Sequence, residues 1–142
     1  MKTTTAKITD TLDELGLVVN KRNCGVVAMA YVAKKSLDVV TSDFKILFDM
    51  PERWDGGTYH SERLLMLDFL DVAVKKVEMS GRKSLKTWMT KHADPSKTYI
   101  VTTTRHVQVV ENGSLVIDQR GVKPVNEYWG RGKFIKNVLE VL

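Results

Sequence analysis

TYIVTTTRHVQVVENGSLVID, residues 98–118, decides how this chain folds. Tyr99 to Thr104 is β-branched and aromatic, which favours strand. Val107 and Val109 alternate with His106 and Gln108, and Leu115 and Ile117 alternate with Val116 and Asp118. Between them, Glu111-Asn112-Gly113 reads as a hairpin turn. The four apolar residues belong on one face, so Val107 should oppose Ile117 and Val109 should oppose Leu115. That register leaves a three-residue loop, Glu111 to Gly113, with Gly113 at its left-handed position. It also sets His106 directly opposite Asp118, about 5 Å apart at Cβ. A two-residue Asn-Gly turn would slip the register by one and put the pair on opposite faces.

Upstream the period is helical. Ile8, Leu12, Leu15 and Leu17 predict a short helix ending at Gly16. Cys24 to Ala33 (CGVVAMAYVA) is small or apolar throughout, so it predicts a helix buried on every side. Lys34 and Lys35 follow it, where cations suit the helix dipole. Ser36 is the expected N-cap of an amphipathic helix carrying Leu37, Val40, Phe44, Leu47 and Phe48. Met50 to Gly57 is a loop. Thr58 is expected to cap a third helix running roughly to Val77, and Ser84 a short fourth one with Leu85, Trp88 and Met89 inward. The tail Phe134 to Leu142 has a spacing closer to helix. Helices first and sheet second predict an α+β fold, a single domain over residues 1–142.

The bulk properties agree with that. A hydrophobic content of 43% against 27% charged residues excludes a disordered chain. No run approaches the ~20 apolar residues of a membrane span, and the opening MKTTTAKITDTLDEL lacks the apolar core of a secretory signal. One cysteine excludes an internal disulfide and favours a reducing, cytoplasmic setting. The net charge of +5 raises the question of a nucleic-acid partner. The cations are scattered, with Arg131, Lys133 and Lys136 the nearest thing to a cluster. One cysteine and three separated histidines give no metal-ligand spacing, and no glycine-rich phosphate loop or G-x-S-x-G elbow is present. No cofactor is called for.

What remains is thiol chemistry. A cysteine attacks as thiolate, and a helix N-terminus together with a neighbouring imidazolium lowers its pKa. Cys24 opens a helix, and His106 is the expected general base and acid. Asp118 then holds the second imidazole nitrogen, fixing tautomer and orientation. Oxyanion donors would come from the Cys24 backbone N–H and a side-chain amide, Asn20 or Asn23. Gly25 would let a substrate chain approach closely. His60 and His92 lack a carboxylate on a defined strand. Trp54, Trp88 and Trp129 are expected in the core or on a cleft wall.

With those residues in hand, the chain resembles papain-like cysteine peptidases, in particular small single-domain bacteriophage types related to the bacteriocin-processing peptidases. RNCGVVAMAYVAKKSLDVV is similar to the nucleophile helix and its successor. GGTYHSERLLMLDFL is similar to the start of the third helix, and SLKTWMTKHADPSKTYIVTTTRHVQVVENGSLVID to the closing block. The resemblance implies a papain-like fold in which Cys24, His106 and Asp118 form the triad, acting on a peptide or protein in a phage-infected host cytoplasm. It departs from the pattern at Val18, six residues before the cysteine, where the family often has an oxyanion glutamine. It departs again at Arg105, before the histidine, where a small residue is frequent. Three functions compete: a cysteine protease or isopeptidase (amidase and acyl-transfer chemistry being related), an inactive binding module that sequesters a host factor, and a basic nucleic-acid-associated protein.

Overall fold

A computed structural model describes residues 3–142; Met1 and Lys2, the first residues of the segment read as lacking a signal, lie outside the described residues. The order is α1 (Thr4–Leu15), α2 (Cys24–Ala33), α3 (Leu37–Leu47), α4 (His60–Phe69), β1 (Val74–Lys76), α5 (Leu85–His92), β2 (Thr98–Thr103), β3 (His106–Glu111), β4 (Leu115–Asp118), β5 (Gly121–Pro124), a 3₁₀ turn (Val125–Glu127) and β6 (Ile135–Val141). The architecture is α+β: five α-helices and one antiparallel six-stranded sheet, ordered β1-β6-β2-β3-β4-β5. Among the described residues no helix is long and apolar enough to cross a membrane.

The helix signals act as their chemistry requires. Gly16 closes α1 in the left-handed region, and the Ser36 and Ser84 hydroxyls accept the Val39 and Thr87 amides at the starts of α3 and α5. The apolar α2 is buried along Gly25 to Tyr31. It lies on one face of the sheet, in a core with Phe44, Met66, Ile100, Val107, Val109, Leu115 and Ile117. Their strand neighbours Tyr99, Val101, Val110 and Val116 enter a second core on the opposite face, with Leu85, Trp88 and Tyr128. The two-residue period of each strand thus feeds two cores.

The N-cap of the third helix is Tyr59 rather than Thr58, whose carbonyl and hydroxyl accept from Arg63 instead. Three further expectations need correction. The third helix ends at Phe69, short of Val77, because Asp71 takes a left-handed φ of 58° and Val74–Lys76 pair with β6 as an edge strand. The tail is not helix but β6, seated between β1 and β2, with Val138 and Leu139 buried in opposite cores. A strand buried on both faces loses the alternation that would reveal it. Third, the β3–β4 register is two residues from the expected one. Val109 pairs with Ile117, Val110 with Val116 and Glu111 with Leu115. Asn112 and Gly113 both take positive φ, 55° and 72°, and the loop is the three residues Asn112 to Ser114. A shift by two keeps every face assignment. His106 and Asp118 therefore share a face still, as diagonal rather than opposed neighbours.

Candidate active site

The site forms where α2 and β3 both begin. Cys24 is the first residue of α2 and is half-buried, whereas Gly25 to Tyr31 behind it are sealed in the core. The preceding segment is tied across to the far end of the hairpin: the Val19 and Asn20 amides both donate to the Gln119 carbonyl, at 3.1 and 3.0 Å. Against the helix start lies the loop Gly56-Gly57-Thr58. Gly56 has φ +92°, and a Cβ there would meet Asn23 Cβ at 2.7 Å. A Cβ on Gly25 would meet Thr58 Oγ1 at 2.2 Å and Arg63 Cδ at 3.2 Å. The free side of Gly25 is therefore taken by the chain's own Thr58 and Arg63 rather than left for a substrate backbone.

His106 sits at the first position of β3, on the face of the second core, while α2 covers the other face. Cys24 stands at the tip of its helix and lines the same two cavities as His106, and the imidazole and the Val107 amide both act on the thiol's ionisation. Behind the ring, His106 Nε2 lies 3.1 Å from Asp118 Oδ2, with the two side chains 5% and 1% exposed. Three further donors satisfy the carboxylate. The Tyr128 hydroxyl reaches Oδ2 at 2.8 Å and the Trp129 indole N–H at 3.3 Å, and the Arg120 amide reaches Oδ1 at 2.8 Å. Trp129 packs edge-on against the imidazole, ring centroids 4.9 Å apart, and screens the pair from water.

The electrostatics follow from these contacts. Burial works to raise the Cys24 pKa, but the His106 hydrogen bond and charge, the Val107 amide and the Arg63 guanidinium together bring it below the ordinary thiol range. Burial works to lower the His106 pKa, and the hydrogen bonds to Asp118 and Cys24, with their negative charges, raise it. Burial alone would raise Asp118 too; His106, the Arg120 amide and the Tyr128 hydroxyl hold it below the carboxylate norm. Tyr128 is raised by burial and by the Asp118 charge, so it stays a donor. The arrangement favours thiolate and imidazolium side by side.

Two cavities open on this pair, both lined by Cys24, His106, Arg22 and Arg105. One, about 270 Å³, extends toward Gly57, Thr58, Arg63, Thr103 and Lys136. The other, about 430 Å³, extends toward Gln119, Arg120 and Trp129. The structure thus brings Cys24, His106 and Asp118 together, as expected from sequence. Neither expected asparagine, Asn20 or Asn23, is among the residues lining these two cavities. Asn20 Oδ1 accepts from Arg120 Nε at 3.4 Å, and buried Asn23 lines a separate cavity with Val26, Leu37 and Trp54. His60 begins α4, and His92 lines a cavity with Trp88 and Tyr99 away from the thiol. Trp88 and Trp54 are packed against Tyr99 and Phe44, and Trp129, 44% exposed, forms the cleft wall.

Sequence reasoning missed four contributors: Arg63, Tyr128, the covering role of Trp129, and Gln119. Gln119 is 7% exposed, its Oε1 has no hydrogen-bond partner among the described residues, and it lines the second cavity beside the thiol. Among the described residues no group of three or more His, Cys, Asp or Glu side chains is placed to hold a metal ion. No family model, curated protein or solved structure matches this chain.

Proposed function

We propose that this protein is a thiol hydrolase of papain-like architecture, cleaving a peptide or isopeptide bond with Cys24 as nucleophile, His106 as acid and base, and Asp118 as the orienting residue. The observation that carries the reading is the single line of side chains from an accessible thiol, through a buried imidazole, to a carboxylate that accepts four hydrogen bonds. Because Asp118 occupies Nε2, Nδ1 is left to serve the thiol.

In this mechanism the Cys24 thiolate adds to the carbonyl carbon. The oxyanion is met by the Cys24 backbone N–H at the N-terminus of α2 and by the side-chain amide of Gln119, the polar group facing that side of the cleft. The imidazolium gives its proton to the leaving nitrogen as the C–N bond breaks, leaving a thioester and neutral His106. Water, deprotonated by His106, then adds to the thioester, and the second tetrahedral intermediate expels the thiolate. Asp118 stays ionised throughout and steadies the imidazolium. A host-protein substrate in a phage-infected cell rests on the sequence resemblance alone.

Alkylation tests the reading. Iodoacetamide should modify Cys24 fast at neutral pH, and His106→Ala should slow it by at least an order of magnitude. Equal rates in the two proteins would remove the triad.

A further inference from the structure

We propose that the cleft selects acidic peptides, with Arg22 and Arg105 binding substrate carboxylates beside the bond presented to Cys24; this rests on the thiol-hydrolase reading and names its substrate class. The two cavities that open on the thiol are lined by Arg22, Arg63, Arg105, Arg120 and Lys136, and by no aspartate or glutamate. Three other cavities are not like this. Glu78, Glu140 and Lys83 share one, Asp55 and Glu62 line a second, and Asp38 and Asp55 line a third with Lys21 and Lys45. In the cleft, by contrast, cations gather without carboxylates.

These cations are not equivalent. Arg63 is committed to Thr58, donating to its carbonyl at 3.0 Å and its hydroxyl at 2.8 Å, and its charge acts on the thiol. Arg120 lies over the Trp129 ring, 4.4 Å from its centroid, and donates to Asn20. Arg22 and Arg105 are exposed, and among the described residues neither forms a salt bridge. Both line both cavities, as Cys24 and His106 do. Arg105 is held there by the β2–β3 turn with φ 57°, in the left-handed region. Two planar guanidinium groups in the lining suit bidentate capture of carboxylates. The thiolate–imidazolium pair is neutral as a unit, so the cationic rim sets the field that an incoming peptide meets.

A nucleic-acid strand fits less well. The tryptophan that lines the cleft, Trp129, already carries Arg120 and Lys133 over its ring and meets His106 edge-on. A base stacking there would have to compete with those cations for the ring.

The test compares the alkylation rates of anionic iodoacetate and neutral iodoacetamide at Cys24, each divided by the rate with free cysteine. Wild type should favour the anion. The preference should fall about tenfold in Arg22→Gln/Arg105→Gln and in high salt, and persist in Arg22→Lys/Arg105→Lys. Peptidyl acyloxymethyl ketones with aspartate, alanine or lysine next to the warhead supply the peptide arm, read by intact mass. Aspartate labelling fastest, with the advantage lost in the glutamine double variant, is the expected result. Equal labelling by all three overturns the proposal while the hydrolase reading stands. No reaction of Cys24 with any ketone, against normal iodoacetamide labelling, removes both. Retention on single-stranded RNA at low salt that disappears in the double variant, without ketone selectivity, assigns the cations to nucleic acid instead.

Discussion

The His106 ring and the Asp118 carboxylate, 3.1 Å apart, are diagonal neighbours across the β3–β4 hairpin rather than facing partners. The diagonal matters because it leaves Asp118 room for three more donors, two from Tyr128 and Trp129 on the segment after β5. The carboxylate is thus fixed from several sides before the histidine leans on it. Asp118→Asn keeps the shape but removes the charge and supplies an amide donor. Hydrolysis should drop by about 10²-fold or more. The His106 pKa, followed by NMR, should fall, because Asp118 is a cause of its elevation.

The same carboxylate ties stability to pH. Its folded pKa is depressed, so its contribution is present above the unfolded value of ~3.9 and fades as pH falls through the folded one. His106 has the opposite sign. Its folded pKa is raised, so its contribution is full below ~6.5 and is lost as pH rises through the folded value. Chemical denaturation against pH should show the acid-side loss shrink in Asp118→Asn relative to wild type. Identical acid limbs would mean that the pair adds nothing to folding.

Gln119 separates binding from oxyanion stabilisation. Gln119→Ala should lower kcat by about 10²- to 10³-fold while leaving iodoacetamide alkylation of Cys24 unchanged, since alkylation forms no oxyanion. If alkylation fell in parallel, Gln119 would be positioning the thiol rather than meeting the intermediate.

The glycines that seat α2 carry a stability prediction. Gly56→Ala puts a Cβ 2.7 Å from Asn23 Cβ at a φ of +92°. It should destabilise the fold by about 1–3 kcal/mol, measured by urea denaturation, and loosen the start of the nucleophile helix. Gly16→Ala, where the same atom meets nothing within 4 Å, should cost only the left-handed backbone penalty, about 1 kcal/mol.

Much of this was legible in the residues because local chemistry and tertiary demand agree there. Ser36 and Ser84 cap helices in any context, and an all-apolar run such as Cys24 to Ala33 has nowhere to go but the core. The hairpin face was readable for the same reason, since any even register satisfies the four apolar residues. Which even register was not, because it depends on whether Asn112 joins Gly113 in the left-handed region. The tail was misread because Val138 and Leu139 are each buried on a different side, and a strand with two cores looks like nothing periodic. Gln119, Tyr128 and Arg63 serve the site through distance in space, and no spacing along the chain announces them.

Titration of the Cys24 thiolate by its ultraviolet absorbance, in wild type and in His106→Ala with Cys24→Ser as the blank, tests the central claim most directly. Wild type should hold thiolate well below the ordinary thiol range. The variant, which loses the His106 hydrogen bond and charge, should form it only at higher pH than wild type. Superimposable titrations, or a wild-type thiol that ionises no earlier than free cysteine, would contradict the account.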